Sequence, residues 1–420
     1  MTEAFLHYLW KNSMLQPDLQ STLGQTITII RPGNLNEDAG PDFTESIIKI
    51  GEEIWAGNVE IHIRTSDWFK HGHDKDQAYQ NIILHVVFEN DMSLPAEAKF
   101  PTLELKSYID NTLWNRYQSL LLSKDWIPCA RNFHEVFPLT VHSMLENALY
   151  RRLERKVEDI SKIVTINKNN LSEAFYIILA RSYGLKANAQ AFELLAKSLP
   201  LNLLARHKGN IFQIEALLFG QAGMLSQACD EYQDKLRNEY LFLKNKYGLV
   251  PIPNQLWRFL RLRPANFPTL RISQLADLLN KSSHLLSRLT ECSSISDMEE
   301  LLSCKASSYW DTHYRFGEIS KLKPKITGKD FIHSIIINCV IPFMHIYGVY
   351  TGKTNYLKNI ESLLSELPAE NNKIIRGWEE IGYKAKDAFE SQALIELKTQ
   401  YCNLKLCLDC RIGHALLTQK

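Results

Sequence analysis

The sequence predicts an α+β protein, in which an N-terminal mixed sheet flanked by helices is followed by a mainly α-helical region. Two observations carry that expectation. Period-two alternation and runs of β-forming residues are confined to the stretch before about residue 110, whereas charged amphipathic helical patterns follow one another beyond about residue 130. The expected segments are an α/β domain over 1–130, a helical region of one or two domains over 131–385, and a C-terminal helix with a cysteine-rich tail over 386–420.

In chain order, Thr2 caps a helix whose Phe5, Leu6, Leu9 and Trp10 recur at helical spacing. Thr26 to Pro32 reads as a first strand, and Phe43 to Ile50 and Val59 to Ile63 as two more, joined by a hairpin turn at Gly51-Glu52-Glu53. Ile82 to Glu89 and Thr102 to Tyr108 complete the sheet. Helices are then expected near Val141–Ile160, Ser172–Tyr183, Ala187–Leu199, Phe212–Leu218, Asp230–Tyr247 and Ser391–Tyr401. In Glu215–Leu225, the small residues Gly220, Ala222 and Gly223 predict a helix end and close packing. Phe331 to Gly352 holds no Asp, Glu, Lys or Arg, but its His333, Ser334, Asn338, His345 and Pro342 predict a buried core helix interrupted at Pro342.

The alternation places Asn58, Glu60, His62 and Arg64 on one face of their strand. A three-residue turn pairing Ile50 with Ile54 sets Asp42 opposite His62 and beside Glu60; a two-residue turn would point Asp42 away. The three-residue turn is expected. Two carboxylates and an imidazole so placed can hold a divalent metal and orient a water. Downstream, Ser66–His85 gathers His71, His73, His85, Asp67, Asp74 and Asp76 around Trp68 and Tyr79. His71, His73, Asp76, Tyr79 and His85 are the candidates for supporting the site or touching substrate, with His85 also readable as an ordinary core histidine.

Pro41-Asp42 and Glu60-Ile61-His62 resemble the PD-(D/E)XK nuclease superfamily, over about the first quarter of the chain, with His62 where the family has lysine. The resemblance implies a restriction-endonuclease-like core of helix, mixed sheet and helix. It also implies magnesium or manganese on Asp42 and Glu60, and hydrolysis of DNA or RNA phosphodiesters. His62 would orient or deprotonate water, or add a ligand; imidazole suits manganese or zinc better than magnesium. GPDF, GNVEIH, the HGH segment, EALLFGQAG, RPANFPTLR and the C-terminal cysteines together resemble an uncharacterised bacterial family known only as a domain of unknown function. That likeness spans the chain and implies no established activity.

Two further constellations bear on function. Arg258, Arg261, Arg263 and Arg271 interleave with Trp257, Phe259 and Phe267, a pattern that suits a nucleic-acid backbone with stacked bases and equally suits a solvated helix face or ion pairs. Cys402, Cys407, Cys410 and His414 supply C-x4-C-x2-C-x3-H, expected to bind zinc or, as in some PD-(D/E)XK nucleases, an iron-sulfur cluster; buried free thiols are the alternative.

Composition bounds these expectations. A chain of 420 residues, 45% hydrophobic and 23% charged, is globular, and a net charge of +1 demands a local basic patch for any nucleic-acid contact. MTEAFLHYLWKNSML lacks a basic segment followed by an apolar one, so no secretory signal is expected, and clustered free cysteines suit a reducing cytoplasm. The expected function is a metal-dependent nuclease without membrane attachment. The alternative is a non-catalytic nucleic-acid-binding or assembly protein with an inactive nuclease-like domain.

Overall fold

A computed structural model describes residues 1–95, 98–292, 294–352 and 355–419. The chain divides into two compact units: 1–146 with 377–383 and 395–420, and 147–376 with 384–394.

The first unit is built on a six-stranded mixed sheet. Its strands are β1 (Ile27–Arg31), β2 (Asn34–Leu35), β3 (Phe43–Ile50), β4 (Glu53–Arg64), β5 (Ile82–Glu89) and β6 (Thr102–Glu104). The order is β1-β3-β4-β5-β6, with β2 paired to β3. β1, β3 and β4 form an antiparallel meander, while β5 runs parallel to β4 and β6 parallel to β5. Helix α1 (Glu3–Lys11) starts where the Thr2 hydroxyl accepts the Phe5 N–H, and it carries Glu3 in its first turn and Lys11 in its last, as the helix dipole favours. Its Phe5, Leu6, Leu9 and Trp10 join Phe43, Ile48, Val59, Ile61, Leu84, Val86 and Leu103 of the sheet in one core. The Trp10 indole N–H donates to the Pro32 carbonyl at 2.9 Å.

The hairpin departs from expectation in an instructive way. Ile50 pairs with Glu53 and Lys49 with Ile54, so the turn holds two residues and not three. Alone, that register would turn Asp42 away from Glu60. A bulge between Phe43 and Ser46 inserts one residue, Glu45 at φ 57°, and Phe43 then pairs with Val59. The inserted residue swings Asp42 back beside Glu60, where its carboxylate accepts the Ile61 N–H at 2.9 Å. Left-handed backbone disfavours a β-branched side chain. A Glu45→Gly protein is therefore expected to exceed Glu45→Val in stability by about 1–2 kcal/mol on urea denaturation.

Helix α2 (Asp67–Lys70) and two short 3-10 turns, His73–Lys75 and Gln77–Tyr79, fill the crossover that a parallel β4–β5 pair requires. Helix α3 (Asn111–Leu122) adds Leu113, Tyr117 and Leu120 to the core, and Phe5 stacks on Tyr117 with ring centres 5.1 Å apart. The C-terminal segment belongs to this unit as well. Cys407 and Leu417 are core members, and the Tyr8 hydroxyl lies 2.9 Å from His414 Nδ1.

The second unit is mainly helical. Helix α4 (Pro138–Ile166), most of which lies here, is followed by helices Leu171–Tyr183, Leu185–Ser198, Ile211–Gln221, Glu231–Tyr247 and Pro268–Lys281. Helix Ile211–Gln221 ends where the small residues predict, with Ala222 as its C-cap, and Gly220 in its last turn packs closely, because any Cβ there would meet the Tyr240 ring at 2.0 Å. Gly223, at φ 72°, makes the reversal that follows. The apolar stretch around Pro342 is not broken into separate helices. Helices Lys329–Ile335 and Ile341–Thr351 are joined by a π-turn over Ile336–Val340, which accommodates the missing proline N–H. By length and composition this is the one helix among the described residues able to cross a membrane, and 67% of its most apolar window is buried inside the protein.

A candidate metal centre on the sheet

β4 carries Glu60 and His62 on one face, and the crossover covers that face, so the two side chains are only 4% and 2% exposed. The parallel register sets His85 of β5 directly beside Glu60. His71 closes α2, and Gly72 at φ 77° reverses the chain so that His73 also turns toward β4. Ligand atoms of His62, His71 and His73 lie within 4.8 Å of one another.

The spacings suit a single ion. His62 Nε2 is 3.1 Å from His71 Nδ1 and 3.5 Å from Glu60 Oε1, and His73 Nε2 is 3.2 Å from the same carboxylate oxygen. Nitrogens bound to one metal at about 2.1 Å sit about 3.0–3.4 Å apart for octahedral to tetrahedral angles. Three imidazoles, with a carboxylate oxygen beside two of them, are a donor set for zinc, manganese or iron, and a poor one for magnesium. The other ring nitrogen of His62 is held by buried His85, with Nδ1 2.9 Å from His85 Nε2, an outer contact that fixes the imidazole's orientation. Trp68 packs on the His73 and His85 rings, and Tyr79 stacks on His73 at 3.9 Å between ring centres.

Asp42 has a different place from the one expected of a metal ligand. Its Oδ2 accepts the Ile61 N–H and lies 3.2 Å from His7 Nε2, while its backbone N–H donates to Glu60 Oε2 at 3.0 Å. Asp42 thus orients Glu60 so that Oε1 faces the histidines. Sequence reasoning missed His7, which arrives from α1; nothing in its local pattern marks it.

Burial sets the protonation of the site. It pushes the Glu60 carboxyl up to about 8, with the Asp42 carboxylate adding to the effect. Burial likewise draws His62 down to about 4, with His73 and His71 adding, and His85 down to about 3. His73 is lowered by burial and by His71. In metal-free protein the three lowered histidines, unprotonated in the fold but titrating from 6.5 when unfolded, make stability rise with pH up to about 6.5. Glu60 works the other way, keeping its proton in the fold from 4.5 to about 8 while the unfolded chain loses it. Two strongly lowered histidines outweigh one acid below pH 6.5. The melting temperature in EDTA is expected to peak near pH 6.5 and to decline toward about 8, and Glu60→Gln is expected to remove that decline.

The remaining candidates disperse. Asp76 caps the second 3-10 turn by accepting the Ala78 N–H at 2.9 Å. Arg271 is 5% exposed, bonded to Gln274 and Asn266, and stacked on Phe331 at 3.3 Å, so it has no reach to an external nucleic acid. Arg258, Arg261 and Arg263 are exposed on a loop, and not on a helix face. The aromatics between them serve the interior: Trp257 donates to the Ala222 carbonyl at 2.8 Å, and Phe259 and Phe267 flank Arg315. Cys402, Cys407 and Cys410 lie in the first unit, whereas His414 is engaged by Tyr8.

A family model described as "Protein of unknown function (DUF2851)" matches residues 3–373. No curated protein and no solved structure matches the chain.

Proposed function

We propose that this chain, which belongs to the family described as Protein of unknown function (DUF2851), is a metal-dependent hydrolase of nucleic-acid phosphodiesters. The observation that carries the reading is the convergence of His62, His71 and His73 at ligand spacing, with Glu60 Oε1 beside His62 and His73. Support for the substrate class is the resemblance of Pro41-Asp42 and Glu60-Ile61-His62 to the PD-(D/E)XK pattern. The order of helix, antiparallel meander, helical crossover and parallel strand is also in keeping with that core.

In this reading zinc or manganese, when bound, supplies a Lewis acid and lowers the pKa of a coordinated water. His62, His71 and His73, in neutral form, would hold the ion, and the Glu60 carboxyl beside His62 and His73 would face it. Asp42 and His85 fix the directions of Glu60 and His62. His71, the most exposed of the three ligands, marks the side open to substrate. The exposed Arg258, Arg261 and Arg263 are candidate contacts to a phosphate backbone.

The test is cleavage of single- and double-stranded DNA and RNA with manganese, zinc or magnesium added, or with EDTA, beside Glu60→Ala. Metal-dependent cutting by the wild-type chain that Glu60→Ala loses supports the reading. A folded, metal-loaded protein that cuts none of them overturns it in favour of a non-catalytic nucleic-acid-binding or assembly protein. That role predicts binding that survives Glu60→Ala and weakens when Arg258, Arg261 and Arg263 are neutralised.

A further inference from the structure

The second unit contains a cavity of about 270 Å³ with a chemistry of its own, lined entirely from within that unit. Four helical segments meet around it, and each brings residues at helical spacing. Lys156 and Ile160 are four apart, so both lie on one face of α4. Ile178, Arg181 and Ser182 share a face of helix Leu171–Tyr183, and Leu185, Lys186 and Ala189 come from the first turns of helix Leu185–Ser198. Ser334 and Asn338, again four apart, come from helix Lys329–Ile335 and the π-turn that follows it.

The lining is divided between charge and apolar surface. Ile160, Ile178, Leu185 and Ala189 are apolar, Lys156, Arg181 and Lys186 are cationic, and no Asp or Glu is among the described lining residues. Lys156 and Arg181 are half-buried, and Lys186 is exposed. The π-turn directs Lys156: its Nζ donates to Asn338 Oδ1 at 2.7 Å, while Asn338 Nδ2 donates to the Ser334 carbonyl at 2.9 Å. Arg181 reaches the Glu193 carboxylate only at 3.8 Å, and Glu193 is drawn more closely to Lys197, at 2.6 Å. Three like charges around one cavity repel one another where water screens them less, and a bound anion turns that repulsion into attraction.

Charge and size together select the ligand. One guanidinium and two ammonium groups match the double charge and three terminal oxygens of a phosphomonoester, whereas a single carboxylate would leave most of the charge uncompensated. The apolar wall calls for an organic body. An apolar cavity of about 150 Å³ holds a molecule the size of benzene, so 270 Å³ has room for a phosphate with a sugar or ring attached. We infer that this cavity binds a small organic phosphate, whose phosphate group meets Lys156, Arg181 and Lys186 and whose body lies on Ile160, Ile178 and Leu185. Binding here is separate from the hydrolysis proposed at the sheet and does not rest on it.

The experiment is isothermal titration calorimetry of the full-length chain with AMP, glucose 6-phosphate and inorganic phosphate in turn, at low ionic strength. Expected is saturable binding of AMP or glucose 6-phosphate at one site per chain, at least about 10-fold tighter than inorganic phosphate. Lys156→Met and Arg181→Gln are each expected to weaken it by about 10–100-fold, the range of a charge-assisted hydrogen bond. Ala189→Glu, which sets a carboxylate among the three cations, is expected to abolish it. Lys162→Met removes a charge from the same helix outside the cavity, where Lys162 pairs with Glu158 at 2.8 Å, and is expected to bind as the wild type does. Glu60→Ala is expected to do the same, which separates this site from phosphate held at the candidate metal centre. Any one of the three cavity variants that circular dichroism shows to be folded decides the matter. The inference is overturned if neither organic phosphate binds saturably, or if inorganic phosphate binds as tightly as they do. It is equally overturned if a folded cavity variant keeps wild-type affinity, or if Lys162→Met or Glu60→Ala loses it.

Discussion

Replacing His62 by alanine is expected to weaken zinc or manganese binding by more than about 100-fold and to abolish metal-dependent hydrolysis. In the proposed function His62 is the hub of the candidate centre. Its Nε2 faces His71 at 3.1 Å and Glu60 at 3.5 Å, and its Nδ1 faces His85 at 2.9 Å. Its removal takes away one ligand and frees two others to rotate. His85→Ala tests the same arrangement from behind: an orienting partner costs about 10–100-fold in metal affinity and leaves some activity. Competition with a chromophoric chelator measures both, and circular dichroism checks that each protein is folded. A His62→Ala protein with wild-type affinity would remove the centre.

The second large effect is on stability. Trp10→Ala is expected to destabilise the sheet unit by about 4 kcal/mol, the range typical of emptying a buried aromatic site. Trp10 is 0% exposed in the core beneath the sheet, among the side chains of α1 and the first strands. The cost is mainly the cavity, because the Pro32 carbonyl that accepts its indole N–H also accepts the Ser46 hydroxyl at 2.7 Å. Trp10→Phe keeps most of the volume and is expected to cost about 1–2 kcal/mol. Urea denaturation measures both. A loss below about 1 kcal/mol for Trp10→Ala would show that α1 is not part of this core.

How much of this the sequence shows depends on the range of the interaction concerned. Glu60 and His62 are legible because strand alternation is local, and α1 is legible from its cap and apolar spacing. The convergence of Asp42 is legible while its cause is not. It depends on a bulge at Glu45, a residue type with no preference for left-handed backbone, so no Gly or Asn marks the spot. His71 and His73 are visible as a cluster, but their arrival over Glu60 depends on the parallel crossover. His7 reaches Asp42 from a segment far along the chain, and spacing arguments look only along the chain. Arg271 misleads for a related reason: alternation of arginine and aromatics cannot distinguish a side chain facing solvent from one packed on Phe331.

The sheet unit is completed by a segment that the ribosome makes long after its first strands. Residues 1–146 emerge well before 395–420, yet Cys407 and Leu417 of the later segment complete their core and the Tyr8 hydroxyl pairs with His414 Nδ1. At about 5–20 residues per second, roughly 10–50 seconds of synthesis separate the two. Throughout that interval the nascent core that α1 and α3 share lacks the cover of Cys407 and Leu417.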